Sequence, residues 1–258
     1  MSWCEIETQV SAPRRLLRAT ALGVAALLAL ASCQKENEAG CFTSTGSIIT
    51  QRRALPPFRV LTTYDNVQVT LVQDSETYAE VRAGKNLQED IRLETKGNQL
   101  IIRNTSRCNW VRRYNTPREV TLHTPRVTDL FLLGQGDIRT AGTFRADTLF
   151  AHLVGSGDYH LNLQSRYLNM DQFELGNLYL EGQTEELHLI VGGGGSTYAS
   201  GLPAQRVYLR TNPDSEGSAH FTPAQLLVGT HAGIGTVYYR GTPTTTLQVT
   251  GKGKLVKE

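Results

Sequence analysis

Leu130-Phe131-Leu132-Leu133-Gly134-Gln135-Gly136-Asp137 and Leu149-Phe150-Ala151-His152-Leu153-Val154-Gly155-Ser156-Gly157-Asp158 decide the fold. Each starts with two apolar residues two apart and ends in Gly-x-Gly-Asp. Alternation of this kind marks a half-buried strand, and the glycines mark a corner. The apolar pair recurs at Leu168/Met170, Leu187/Leu189, Val207/Leu209, Leu226/Val228 and Leu247/Val249, with successive steps of 19, 19, 19, 20, 19 and 21 residues. A second short strand follows several corners, as at Tyr159-His160-Leu161, Leu178-Tyr179-Leu180 and Val237-Tyr238-Tyr239.

A fixed period near 20 in seven copies is the signature of a solenoid. One rung cannot bury its apolar ladder alone, but stacked rungs about 4.8 Å apart can. The expectation is an all-β protein: a β-solenoid of about seven rungs over 125–258, preceded by a β-strand-rich part over 42–124. A right-handed winding is expected, because parallel crossovers take that hand. A meander sandwich is the rival, and the regular step disfavours it. In the first part Val67, Val69 and Leu71, then Leu100 and Ile102, then Val120 and Leu122 alternate with polar residues. Gly97-Asn98 marks a hairpin turn, and Pro56-Pro57 breaks the chain before the next strand.

The N-terminus gives an address. Arg14, Arg15 and Arg18 precede an apolar run from Ala19 to Ala31, and Leu30-Ala31-Ser32-Cys33 follows the pattern of a lipobox. The run is too short for a membrane span, which needs about 20 residues. The segments expected are therefore a lipoprotein signal over 1–32, a lipidated Cys33 with a polar tether over 33–41, and an outer-membrane lipoprotein facing the periplasm or the surface. With the signal removed the chain carries a formal charge of +1, so nucleic acid is not expected as a partner. Cys41 and Cys108 remain in an oxidising compartment, where a disulfide is the expectation; free buried thiols are the alternative.

The chain resembles the putative auto-transporter adhesin, head GIN domain family. Val67 to Gln73 is similar to that family's early strand. Gly84-Lys85-Asn86-Leu87 through Ile91, Glu94 and Gly97 to Ile102 is similar to its next run. Leu132 to Ile138 and Gly155 to Asp158 resemble its Gly-x-Gly-Asp turn, and Val237 to Pro243 with Gly251-Lys252-Gly253 resembles its ending. The resemblance covers nearly all of the chain after Cys33. It implies a β-helical fold and an adhesin-like role, and it brings no catalytic residue. Later rungs replace the Gly-x-Gly-Asp turn, so no uniform row of ligands is implied.

Read residue by residue, the chain offers no catalytic set, metal cluster or cofactor motif. Asp137 and Asp158 suit turn-backbone hydrogen bonds better than calcium, because a period near 20 is not that of a calcium-binding β-roll. The six histidines show no metal-ligand spacing and read as surface strand positions. An outward column, Phe131, Phe150, Asn169, His188, Tyr208, Leu227 and Gln248, is aromatic and lacks the carboxylate pair that glycoside hydrolysis requires. The contact residues expected for a surface glycan or protein ligand are Phe131, Phe150 and Tyr208. Trp110, Arg112 and Arg113 in a basic loop join them, although that loop reads more simply as a solvated insertion, because charge runs are usually just solvated. An apolar patch around Phe131, Leu133, Phe150 and His152 is expected to lie under the N-terminal part or to join two copies in a homo-oligomer. The functional expectation is a surface-anchored, non-enzymatic adhesin-like binding or scaffold module. The alternative is a carbohydrate-active, polysaccharide-processing β-helical enzyme.

Overall fold

A computed structural model describes residues 44–106 and 116–258. The lipidated Cys33, the Cys41–Cys108 disulfide and the Trp110, Arg112 and Arg113 loop expected from the sequence lie outside the described residues. Seventeen strands are described. The first seven are β1 (Ile48–Ala54), β2 (Val60–Thr63), β3 (Gln68–Gln73), β4 (Tyr78–Gly84), β5 (Ile91–Lys96), β6 (Gln99–Asn104) and β7 (Arg118–Thr124). The rest are β8 (Asp129–Leu132), β9 (Ile138–Thr140), β10 (Phe144–Leu153), β11 (Tyr159–Gln172), β12 (Leu178–Val191), β13 (Thr197–Thr211), β14 (Ala219–His231), β15 (Thr236–Tyr239), β16 (Thr244–Val249) and β17 (Lys254–Lys257).

From β8 onward every pairing is parallel. The chain is a β-solenoid of about six turns, close to the seven rungs read from the sequence. Each rung supplies a strand to two faces. The first face runs β6, β2, β8, the later halves of β10 to β14, then β16. The second runs β7, β3, β9, the earlier halves of β11 to β14, then β15 and β17. Strands β11 to β14 are long because they cross the bend between the faces without a break.

The N-terminal strands extend the same stack, and one rung is out of order. β2 and β3 lie between β6 and β7 on one side and β8 and β9 on the other. Antiparallel strands finish that end: β5 lies on β6, while β4 lies on β7 and carries β1. The β5–β6 hairpin turns through Gly97-Asn98, where Gly97 takes φ +60°. At the other end β17 is an edge strand bearing Lys254 and Lys257, charges that discourage pairing with a foreign strand.

The interior is a set of stacked columns. Leu149, Leu168, Leu187, Val207 and Leu227 form one, and Leu130, Ala151, Met170, Leu189 and Leu209 another; all are buried. Tyr159 fills the second face's interior and its hydroxyl donates to the His152 carbonyl (3.2 Å). Glycine is required where rungs touch at the corners. A Cβ on Gly155 would collide with the carbonyl oxygen of Gly134 one rung away.

Three readings are corrected. Leu130 stacks on Ala151 and Leu132 on Leu153, not on Leu149 and Ala151. A shift of two residues preserves the in–out alternation, so the apolar pattern cannot detect it. Leu226 and Val228 point outward, and Leu227 is the inward residue. The register shifts between Ala199 and Arg206, which moves Leu227 rather than Leu226 into line with Val207. His231 is buried, not a surface position. It continues the column of Leu153, Gln172, Val191 and Thr211.

Candidate ligand-binding faces and bend groove

The outward residues of the first face form an aromatic path. In column order Asp129, Phe150, Asn169, His188, Tyr208 and Val228 share one line. Phe131 is therefore not in line with Phe150 and Tyr208. It stacks on His152 one column nearer the corner, at 4.5 Å between centroids, and His152 is held by Asp171 through Nδ1 at 2.8 Å. Tyr167 joins Phe150 to His188, with centroids 6.1 and 4.8 Å away and rings tilted by 53° and 35°. His188 then stacks on Tyr208 at 4.2 Å. Tilted rings leave parts of their faces open, and Phe150 is 36% exposed. The patch around Phe150 and Leu133 is thus not covered by the described N-terminal strands, which continue the stack beside it.

Glu186 orders this path. One oxygen accepts both Nε and Nη2 of Arg206 (3.0 and 2.6 Å), and the other lies 3.1 Å from His188 Nε2. Arg206 first, then His188, hold the Glu186 carboxyl below its ordinary range.

The second face carries a longer stack. His160, Tyr179, Tyr198, His220 and Tyr238 follow one another at 4.6, 5.0, 5.7 and 4.5 Å, within 15° of parallel. Here Tyr179, Tyr198 and His220 each have a ring on both sides, so along the middle of the stack solvent meets mainly ring edges and hydroxyls. Partial desolvation, with the Asp158, Tyr198 and Asp137 groups, pushes the Tyr179 phenol up. Among the described residues, then, five of the six histidines sit on outward strand positions as read, each against an aromatic ring. The aromatic one rung away was the available signal.

Beside this stack the corner aspartates are structural. Asp137 Oδ1 accepts the backbone N–H of Asp158 (3.0 Å), Asp158 Oδ1 that of Asn177 (2.7 Å), and Asn177 Oδ1 that of Ser196 (2.9 Å). The side chain at each corner thus bonds the next rung rather than its own turn. Among the described residues no group of three His, Cys, Asp or Glu is placed to hold a metal.

At the bend between the faces lies an open groove of about 550 Å³. Arg145, Gln164 and Gln183 stand along one side, and Asp147, Arg166 and Glu185 along the other. Small side chains form the floor: Ala146, Ser165 and Thr184, the last two joined at 2.9 Å. Arg145 Nε donates to Gln164 Oε1 (3.0 Å), and Arg166 grips both oxygens of Asp147 (3.1 and 3.0 Å). That pairing lowers the Asp147 carboxyl. The sequence reading missed this groove, because its residues are ordinary polar surface types that only the bend brings together.

Residues 57–243 match the family described as putative auto-transporter adhesin, head GIN domain. The chain belongs to this family. Among solved structures, a putative adhesin from Bacteroides fragilis is similar in fold (20% identity, TM-score 0.75, covering 82% of this chain and 97% of that one). A putative lipid binding protein from Parabacteroides distasonis is also similar (16%, TM-score 0.64, 83% and 98%). So is a putative adhesin from Parabacteroides merdae (18%, TM-score 0.58, 83% and 98%). At these identities the likeness is one of fold. No curated protein matches the chain in sequence.

Proposed function

We propose that this head GIN protein is a non-enzymatic, adhesin-like binding module of the cell envelope, tethered to the outer membrane through a lipidated Cys33. The exposed aromatic path of the first face carries the reading. Tyr167 and Phe150 offer partly open rings, and Glu186 with Arg206 supplies a fixed polar pair beside them. Rigid aromatics and Arg on a firm scaffold are the residues that concentrate binding energy. Family membership supports the adhesin-like role. Phe150 and Tyr208 are the contacts, with Phe131 at the margin and the Trp110, Arg112 and Arg113 loop as a second contact.

Three carboxylates are tuned away from the role of a glycosidase acid. A glycosidase acid needs a raised pKa, whereas Asp74, Asp147 and Glu186 are each pulled down by bonded neighbours.

Two experiments test the reading. Wild-type protein should be cut before Cys33 and incorporate labelled palmitate, and Cys33→Ala should remain as unlabelled, uncleaved precursor. Normal maturation of the variant with detergent-phase partitioning would remove the anchor. Catalytic turnover of a polysaccharide, abolished by changing a single carboxylate, would replace the binding module with an enzyme.

A further inference from the structure

We infer that the bend groove is a subsite for a neutral, linear polysaccharide lying along the solenoid axis. The inference rests on the binding-module reading and names its ligand class. Three features carry it.

The first is charge. Arg145 and Arg166 are balanced by Asp147 and Glu185, and the Arg166–Asp147 pair is closed on itself by two hydrogen bonds. An anionic polymer would find no net attraction here, whereas neutral hydroxyls can both donate to the carboxylates and accept from the guanidinium groups.

The second is spacing. Successive rungs present Arg145, Gln164 and Gln183 in one line and Asp147, Arg166 and Glu185 in another. Planar groups therefore repeat about every 4.8 Å along the groove, close to the rise of one sugar in an extended chain. The amides of Gln183 and Gln205 bond no other described side chain and are available to hydroxyls. A peptide fits less well, because the floor strands already pair on both sides and offer no free edge.

The third is the adjoining ring. Tyr167 directly follows Arg166 in β11, and it tilts against Phe150 rather than stacking flush. Sugars have apolar C–H faces as well as hydroxyl rims. Tyr167 lies outside the groove's lining, at the start of the aromatic path beside it, so a sugar chain that overhangs the groove meets polar groups within it and an apolar ring at its first-face margin.

The test is affinity electrophoresis of the detergent-solubilised full chain through gels containing dextran, mannan, xylan, β-1,3-glucan or polygalacturonate. At least one of the four neutral polymers should retard the wild type, with no loss in high salt, since no net charge is screened. Gln183→Ala and Gln205→Ala, both in the groove's lining, should each weaken that retardation by about tenfold, the scale of one lost hydrogen-bonding contact. Tyr198→Ala, on the second face, should leave it unchanged. Retardation by none of the neutral polymers overturns the inference. So does retardation by polygalacturonate alone that high salt removes. If a neutral polymer binds but only Phe150→Ala or Tyr208→Ala weakens it, the groove assignment fails and the binding-module reading stands. Cleavage of the retarding polymer would sink both.

Discussion

Thr211 Oγ1 lies 2.9 Å from His231 Nδ1 inside the solenoid. Nε2 faces the Gly235 carbonyl at 2.8 Å, and a carbonyl can only accept, so the ring proton sits on Nε2. Nδ1 therefore accepts from the Thr211 hydroxyl, whose oxygen in turn accepts the N–H groups of Ala232 and Gly233 (both 2.9 Å). A buried polar cluster is satisfied in full. Thr211→Val keeps the shape and orphans three groups at once. Each unsatisfied buried group costs about 1–3 kcal/mol, so the urea midpoint should fall clearly. Thr211→Ser, which keeps the hydroxyl, should recover most of it. Equal loss in both variants would show that packing rather than bonding is at stake.

The corrected register makes a sharp contrast between neighbours. Leu227→Asp places a carboxylate in the interior and should cost several kcal/mol, enough to impair folding. Leu226→Asp points to solvent and should be nearly neutral. Deeper in the same column Leu187→Ala should cost about 2–5 kcal/mol. Thermal unfolding of the set decides it; a more damaging Leu226 change would restore the uncorrected register.

Acid should weaken the Glu186 network. Its carboxyl is lowered from an ordinary 4.5 by Arg206 and His188. A folded value below the unfolded one gives stability that is present above about 4.5 and lost as pH falls through the folded value. Glu186→Gln lacks this contribution. The stability gap between wild type and variant should therefore be widest near neutral pH and shrink on acidification. Urea unfolding at neutral pH and at about pH 3 measures it; a gap that widens in acid rules the account out.

Alkali should act on Tyr159. Burial pushes its phenol well above 10.0. A folded value above the unfolded one means stability that is intact below about 10 and lost as pH climbs beyond it. Tyr159→Phe removes the titrating group at the expense of one hydrogen bond to the His152 carbonyl, about 0.5–1.5 kcal/mol. The variant should be slightly less stable at neutral pH and less sensitive to alkali. Phenolate absorbance followed with pH should lose one late-ionising tyrosine. An unchanged titration would mean that Tyr159 is hydrated.

The period and the glycine corners made the solenoid legible, because both are local in sequence. Leu168, Leu187 and Leu209 could be placed inside from spacing alone. Leu130 could not be assigned to its partner, since strands that alternate every two residues match equally well when slid by two. Leu226 was misread because a bulge is invisible to a periodic count. The bend groove was hidden for another reason: Arg145, Gln164 and Gln183 read as solvated surface until the corner aligns them. His231 looked like surface because its partners, Thr211 and the Gly235 carbonyl, are chosen by stacking rather than by sequence proximity.

The displaced rung has a consequence for a chain that emerges from its N-terminus. β2 and β3 are made early, yet their parallel neighbours β6, β7, β8 and β9 arrive later, some from nearly seventy residues downstream. Val69 and Leu71 must stay unclaimed in the meantime. Pairings of such long sequence separation form slowly, so the interval after synthesis of β3 is when this molecule most needs shelter from its own kind. Once β8 arrives, each further rung pairs with the one just laid down. From there the solenoid can be laid down in chain order, whereas its first rungs must wait for strands not yet made.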